Sequence, residues 1–405
     1  MLDIDERLHN ALAQLLPSDP ARAQEIVARI ASRDESYREQ FTRVVEAEAD
    51  KSCLSPGHYE KTLSEKPFFD YAHSTEFGEL LGMLFATQEQ AGRLPLLDER
   101  ISKGCSREQI STALDKDGYF TFPERLSEDL IDRIVDGLKS IDFAVHGSHR
   151  MHRIASPKDL HPVEDNTCWA VDQQEVLAIP EVQNLLMDPT LLDAIQHFLG
   201  TPPIHVQTNS WWSKAESNDE RTLRKSAQLF HQDKEFIKFL KVFVYLNDVT
   251  EDNGPHQYIA GSNKDYLQHV PAGYKFSQRL SDEYLAASYD QSRFRSFTGR
   301  KGTVVIEDTS GFHKGKPLIS GCRLILQLEF AASLYFNPIA SFGFQKLTPA
   351  YLDFLQQNPR FSLNYDNDKH AKDLARDLEH RRKNRWKNAA KSLRKKLLGT
   401  GRTAK

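Results

Sequence analysis

The sequence predicts an α+β protein centred on an antiparallel β-sandwich or barrel, with helices before and after it. Three observations carry this expectation. Short stretches rich in β-branched and aromatic residues gather after residue 200: IHVQTNSWW, FIKFLKVFVYLND, HQYIAG, GTVVIEDT and CRLILQLEF. Turn signals separate them, notably EDNGP (251–255) and SGFHKGKP (310–317), and short strands bounded in this way belong to sandwiches and barrels. Helical periodicity fills roughly the first 50 residues and returns after Pro338.

The elements follow in order. Leu8, Ala11, Leu12 and Leu15 recur at helical spacing, and a second pattern with Ile26, Ile30, Tyr37, Phe41 and Val45 follows Pro20. Residues 51–110 hold Pro and Gly breaks and one apolar segment, FGELLGMLFA. We read residues 1–110 as a helical N-terminal extension without an interpretable motif. In 111–141 a helix ends near Asp117–Gly118, a short strand covers Tyr119–Phe122, and Ser127 caps a helix. Glu128 and Asp129 stand in that helix's first turn, where its dipole favours acids. Residues 111–340 form the expected main domain. Residues 341–405 form a C-terminal helical segment whose end, RRKNRWKNAAKSLRKKLLG, sets Trp386, Ala389, Ala390, Leu393 and Leu397 on one face among basic residues.

Composition sets the class. Hydrophobic residues make up 39% and charged residues 27% of the 405, enough for a sizeable core. The formal net charge is −4, but Arg381–Lys405 carries eleven Lys or Arg and no acid, so the remaining chain is near −15. A basic tail on an acidic body reads as a helix for an anionic membrane surface or another polyanion, or as a solvated end. Nucleic acid is not expected, because no recognition motif accompanies the charge. The four cysteines are scattered with no CxxC pair, which fits neither a zinc site nor a disulfide framework and points to the cytoplasm. The N-terminus lacks the basic and long apolar regions of a secretory signal, and no apolar run of 18 or more residues exists. Peripheral contact with the inner membrane surface through 381–405 stays open.

One constellation carries chemistry. In LFHQDKEFIKFLKVFVYL (229–246), His231 and Asp233 precede an apolar run. On a strand, side chains at i and i+2 share a face with their Cα atoms roughly 7 Å apart, so both can grip one ion. His313, just after GTVVIEDT, is the best third ligand. Two imidazoles and one carboxylate with open positions make the facial triad of non-haem Fe(II) oxygenases, where co-substrate and O2 must both reach the metal. Arg323 follows on the next apolar strand. An arginine there is costly unless an anion pairs with it, and its planar fork suits the far carboxylate of 2-oxoglutarate.

HQD, NGPHQYIAGSNK, FHKG and the later arginine, in this order, resemble the phytanoyl-CoA dioxygenase family of Fe(II)/2-oxoglutarate-dependent oxygenases. KDGYFTFPERLSEDLIDRIVDGL resembles that family's opening strand and helix, and the resemblance covers roughly 111–335. It implies a double-stranded β-helix (jelly roll) core with helices packed on one side. It also implies His231, Asp233 and His313 as iron ligands, Arg323 as the 2-oxoglutarate clamp, and turnover of 2-oxoglutarate and O2 to succinate and CO2. Halogenating relatives lose the carboxylate ligand, so Asp233 favours hydroxylation. Two departures stand out: Asn263 follows Gly261–Ser262 where many relatives have His, and Gly315 replaces a hydroxyl residue often found two positions after the distal His.

Asn209, Trp211 and Gln228 are candidates to line the co-substrate pocket, with ordinary packing or solvent exposure as the alternative. His256 could touch substrate but reads better as a satisfied loop histidine. Lys234 and Lys238 could meet an anionic substrate, though solvated lysines are the default. The substrate is expected to be a small molecule or a lipid- or saccharide-linked one. Two other classes compete: a non-catalytic binding member of the fold, and a cupin-like metalloenzyme without 2-oxoglutarate. Arg323 discriminates against the second.

Overall fold

The structure, a computed structural model, describes residues 3–17, 19–49, 80, 105–145, 151–160, 168–214 and 227–365, apart from 234, 237, 275–277, 333, 335–342 and 345. Three helices come first: α1 (Ile4–Leu15), α2 (Pro20–Ala31) and α3 (Glu35–Ala49). Asp3 and Asp19 cap α1 and α2 by accepting from the backbone N–H of Glu6 and Arg22. The single helical pattern expected after Pro20 is therefore two helices, broken at Ser32–Asp34.

α4 (Arg107–Asp117) opens with a capping box from Ser106 and Gln109 and ends at Gly118, whose φ is +82°. A Cβ on Gly118 would lie 2.2 Å from the Tyr258 hydroxyl, so only glycine both turns the chain and clears that ring. β1 (Tyr119–Thr121) follows, and Ser127 then caps α5 (Glu128–Lys139) by accepting from Leu130 N–H. Next come β2 (Asp142–Val145), β3 (Met151–Arg153), β4 (Cys168–Val171), α6 (Gln173–Leu177), α7 (Pro180–Leu186) and α8 (Pro189–Leu199). The remaining strands are β5 (Ile204–Lys214), β6 (Phe239–Tyr245), β7 (His256–Ile259), β8 (Phe294–Phe297), β9 (Val304–Glu307), β10 (His313–Gly315) and β11 (Cys322–Ala331). Between β7 and β8 lie the short helices α9 (Ser262–Asp265) and α10 (Asp282–Ser288), and α11 (Pro349–Gln357) follows the sheets.

The strands form two antiparallel sheets. The larger has eight in the order β1-β9-β6-β11-β5-β4-β2-β3, and the smaller has three in the order β10-β7-β8. Alternation along each strand sorts the faces. Leu324, Leu326, Leu328 and Phe330 of β11 join Leu240, Val242 and Val244 of β6 against Leu130, Ile134 and Leu138 of α5 and the apolar sides of α7 and α8. That is the main core, on the outer side of the large sheet. The opposite face of the same strands carries Arg323, Ile325, Gln327 and Glu329, set by register beside Tyr245, Phe243 and Lys241. This inner face looks toward the small sheet, and Val305 of β9 packs with Tyr258 of β7 and Phe297 of β8 between the sheets. The N-terminal helices share a cluster with Val206, Phe236, Phe239 and Ala331, and so close one end of the sheet pair.

Leu229–Leu246 is not one strand with HQD at its mouth. His231 pairs with His313 in the small sheet, whereas Phe239 pairs with Ala331 in the large one. The chain passes from one sheet to the other between Asp233 and Phe239, and Phe236 is buried with the N-terminal helices on the way. Among the described residues no helix is long and apolar enough to cross a membrane. The basic stretch 381–405, with Trp386 and its neighbours, lies outside the described residues, as does FGELLGMLFA save for the buried Leu80.

Candidate metal centre

Backbone pairing brings the three polar residues together. His231 and His313 exchange both N–H···O bonds at 3.0 Å, and Asp233 N–H donates to the Thr309 carbonyl at 2.8 Å. The turn before His313 is held on several sides. Phe312 N–H donates to Ser262 Oγ (2.7 Å), and Asn263 Nδ2 donates to Asp308 Oδ2 (3.0 Å). Asp308 Oδ1 in turn accepts from Ser310 N–H, and Tyr258 Oη donates to the Asp308 carbonyl at 2.8 Å. The Gly-Ser-Asn segment thus supports the turn that presents His313.

The side chains converge from these mounts. One ligand atom each from His231, Asp233 and His313 lies within 4.8 Å of the others. His231 Nε2 is 3.6 Å from Asp233 Oδ1, and His313 Nε2 is 3.2 Å from Asp233 Oδ2. Each histidine turns its Nδ1 to the carbonyl two residues earlier, Leu229 at 2.9 Å and Gly311 at 3.0 Å. A carbonyl can only accept, so Nδ1 carries a proton, and in the neutral ring Nε2 keeps its lone pair for a metal.

Burial and neighbours set the charge states. Burial alone would raise the Asp233 carboxyl, but Lys241, then His313 and His231, hold it well below the usual range. Burial, helped by the charge of His313, pushes His231 well below its ordinary value. Burial pulls His313 down, but Asp233, with Glu307 and the Gly311 carbonyl, raises it on balance. An anionic carboxylate beside a neutral imidazole is a donor set ready for a divalent cation.

Arg323 is 4% exposed at the other end of the inner face. Its Nη1 donates to the Gly254 carbonyl, its Nε has no hydrogen-bond partner, and it forms no ion pair among the described residues. Burial pulls its pKa down, with Tyr245 and Cys168 opposing. A Cβ on Gly315 would lie 3.1 Å from Arg323 Nη2, so the glycine leaves room beside the guanidinium where a hydroxyl side chain would crowd it. Gly315 is two residues beyond His313, which brings the cation and the histidine to one stretch of the lumen.

The other expected residues fall as follows. Trp211 and Asn209 of β5 stand opposite Ile325 and Gln327 of β11, on the face that carries Arg323. Gln228 is buried beside Ala227, whose carbonyl accepts from Gly315 N–H at 3.0 Å. Lys238 turns away and holds its ammonium 5.1 Å from the centre of the Phe198 ring in α8. Lys234 lies outside the described residues. His256 is not in a loop: it is on β7, its Nε2 bonds to Glu307 Oε2 at 2.8 Å, and its ring stacks near that of His313 with centroids 5.6 Å apart. Burial pushes Glu307 up to about 8 and His256 well below its usual value.

A set of buried charges beside Asp233 escapes sequence reading. Lys241 Nζ donates to Asp233 Oδ2 at 2.7 Å and to Glu235 Oε1 at 3.2 Å. The only local signal was a charged residue at an inward position of an apolar strand, and Lys241 and Glu329 both qualify.

A family model for phytanoyl-CoA dioxygenase matches residues 114–324, just over half of the 405-residue chain. No curated protein matches. Three similar solved structures illustrate the wider likeness. One is AviO1 from Streptomyces viridochromogenes Tue57, at 16% identity over 56% of this chain and 95% of that one, with a TM-score of 0.38. A second is SnoK, a non-haem α-ketoglutarate-dependent carbocyclase from nogalamycin biosynthesis, at 18% over 59% and 88%, TM-score 0.42. The third is HygX from Streptomyces hygroscopicus with nickel, 2-oxoglutarate and hygromycin B bound, at 15% over 57% and 90%, TM-score 0.39. Likenesses of this depth leave identification to the family match.

Proposed function

The chain belongs to the phytanoyl-CoA dioxygenase family, and from that premise we propose that it is an Fe(II)- and 2-oxoglutarate-dependent hydroxylase. His231, Asp233 and His313 hold the iron, and Arg323 holds the far carboxylate of 2-oxoglutarate. The observation that carries this is one pairing: three convergent ligand atoms within 4.8 Å, and a buried arginine with no ion pair among the described residues. Iron and 2-oxoglutarate are the metal and co-substrate expected of the family, and the residues fit both.

Iron and 2-oxoglutarate, when bound, would let O2 act as the oxidant: one oxygen atom would end in the hydroxylated substrate and the other in succinate, with loss of CO2. The chain's own part is placement. The Leu229 and Gly311 carbonyls fix both imidazoles in the tautomer that leaves Nε2 unprotonated. Arg323 aligns a dicarboxylate by charge-assisted bonds, and Gly315 keeps the space it needs. The apolar row of Trp211, Ile325 and Tyr245 lines the stretch next to Arg323 and limits water there. Asn209 and Trp211 share that face and are the nearer candidates to touch the co-substrate, with Gln228 beside the Gly315 strand. We read the two facing sheets as the jelly-roll core, residues 111–340 as the oxygenase domain and 1–110 as a helical extension. The substrate is a small or lipid- or saccharide-linked molecule, and the tail 381–405 serves a contact with anionic membrane.

Anaerobic addition of Fe(II) and then 2-oxoglutarate tests the core of the reading. A visible charge-transfer band should form and should vanish in Asp233→Ala. Folded, iron-loaded wild type without a band would refute it.

A further inference from the structure

Lys241 lies on β6 and is 5% exposed. Its ammonium has three donors and no acceptor. Two are bonded, to Asp233 Oδ2 at 2.7 Å and Glu235 Oε1 at 3.2 Å. The third side faces Glu329 Oε2 at 3.6 Å. Glu329 stands directly across on β11, is wholly buried, and has no hydrogen bond to either carboxylate oxygen. Stability does not account for this grouping. Taking such charges out of water costs several kcal/mol per ion, and well-packed apolar residues often do as well or better.

What the grouping does is tie two sheets together at one carboxylate. Asp233 arrives on the crossing segment, anchored to the small sheet through the His231–His313 pair. Lys241 belongs to the large sheet and reaches Asp233 from below. Glu235 and Glu329 hold the other sides of the ammonium, so it has little freedom to swing away.

We infer that Lys241 is a positioning residue for the metal centre. By engaging Oδ2 it fixes the rotation of the Asp233 carboxylate, so that one oxygen is offered to a metal. It would thereby oppose a grip by both carboxylate oxygens. This rests on the metal reading above and extends it to a residue that touches only a ligand. Groups that orient a ligand in this way typically change metal affinity by 10- to 100-fold when removed.

The test uses the full chain and Co(II) without co-substrate or oxygen, read by titration calorimetry and by the visible d–d spectrum. Lys241→Met should bind Co(II) about 10- to 100-fold more weakly and with an altered spectrum. Lys241→Arg, which keeps the charge and the donors, should restore both. Because Lys241→Met leaves Glu235 and Glu329 without their cation, the pair Lys241→Met with Glu329→Leu is measured beside it. Either folded variant binding Co(II) within twofold of wild type, with an unchanged spectrum, overturns the role of Lys241. So does failure of Lys241→Arg to restore binding, which would assign the loss to packing. Wild type that binds no Co(II), or binds it equally well as His313→Ala, overturns the metal reading itself and is distinguishable on that ground.

Discussion

Replacing Arg323 by Met should weaken 2-oxoglutarate without harming the fold. The guanidinium is 4% exposed, its Nε is unpartnered, and its one described hydrogen bond goes to the Gly254 carbonyl. Exchanging buried charges for well-packed apolar side chains of similar volume is often neutral or stabilising by about 1–4 kcal/mol, and Arg323 has no ion pair among the described residues to lose. Losing the bond from the charged guanidinium to Gly254 takes back about 1.5–3 kcal/mol. The two largely offset, and the net lies between about 3 kcal/mol lost and about 2.5 kcal/mol gained. At about 2–4 °C per kcal/mol for a large domain, Tm should stay within about 10 °C of wild type. Binding moves the other way. Charge-assisted bonds to a carboxylate contribute about 1.5–3 kcal/mol, which is about 10- to 150-fold in Kd. Anaerobic titration of 2-oxoglutarate into the Fe(II) protein, followed by the charge-transfer band, gives Kd, and thermal unfolding of the ligand-free protein gives Tm. The two readouts separate a clamp from a strut. Binding within threefold of wild type would refute the clamp. A fall well beyond about 10 °C in Tm would show that the guanidinium already has the partners it needs inside the protein.

Two further outcomes follow from other parts of the molecule. His205 is wholly buried, bonds to Tyr365 Oη at 2.6 Å and to Thr208 Oγ1 at 2.7 Å, and burial pushes its pKa from 6.5 down to about 3. The unfolded chain takes up this proton and the folded one does not, so stability is lost as pH falls from 6.5 toward 3, by up to about 1.4 kcal/mol per pH unit from this group. In His205→Gln the stability gap to wild type should therefore narrow with falling pH in urea titrations, and parallel curves would refute the assignment. For the tail, removing residues 381–405 should abolish sedimentation with anionic liposomes; unchanged sedimentation would sink the membrane contact.

Much of the scaffold was legible locally. Gly118 ends a helix because its backbone needs φ of +82°, and Ser127 starts one because its side chain can take the Leu130 N–H. Each depends on a few consecutive residues. Of the strands between 204 and 331, β5, β6, β7, β9 and β11 were legible as apolar runs between turns, although Phe236 and Lys238 proved to lie in a crossing rather than in β6. β8 carries no such run, and His313–Gly315, inside a stretch that reads as a turn, is strand β10 because it pairs with β7. Residues 142–199 offered no comparable pattern, and their short strands gain meaning only by pairing with β5 through β4.

The amino-acid sequence by itself determined which groups could do chemistry: two imidazoles, a carboxylate between short strands, and an arginine on an apolar strand that calls for an anion. It also determined alternation, so Arg323 had to face away from Leu324 and Leu326. Tertiary structure alone decided the sheet to which His231 and Asp233 belong, because pairing partners such as His313 lie some 80 residues away and nothing local encodes register. It alone decided that Lys241 meets Asp233 and that His256 meets Glu307. A charged residue on a strand looks the same in sequence whether it faces solvent, a helix or another charge, as Lys238 over Phe198 and Lys241 under Asp233 show. The energy of a buried charge depends on what surrounds it in three dimensions.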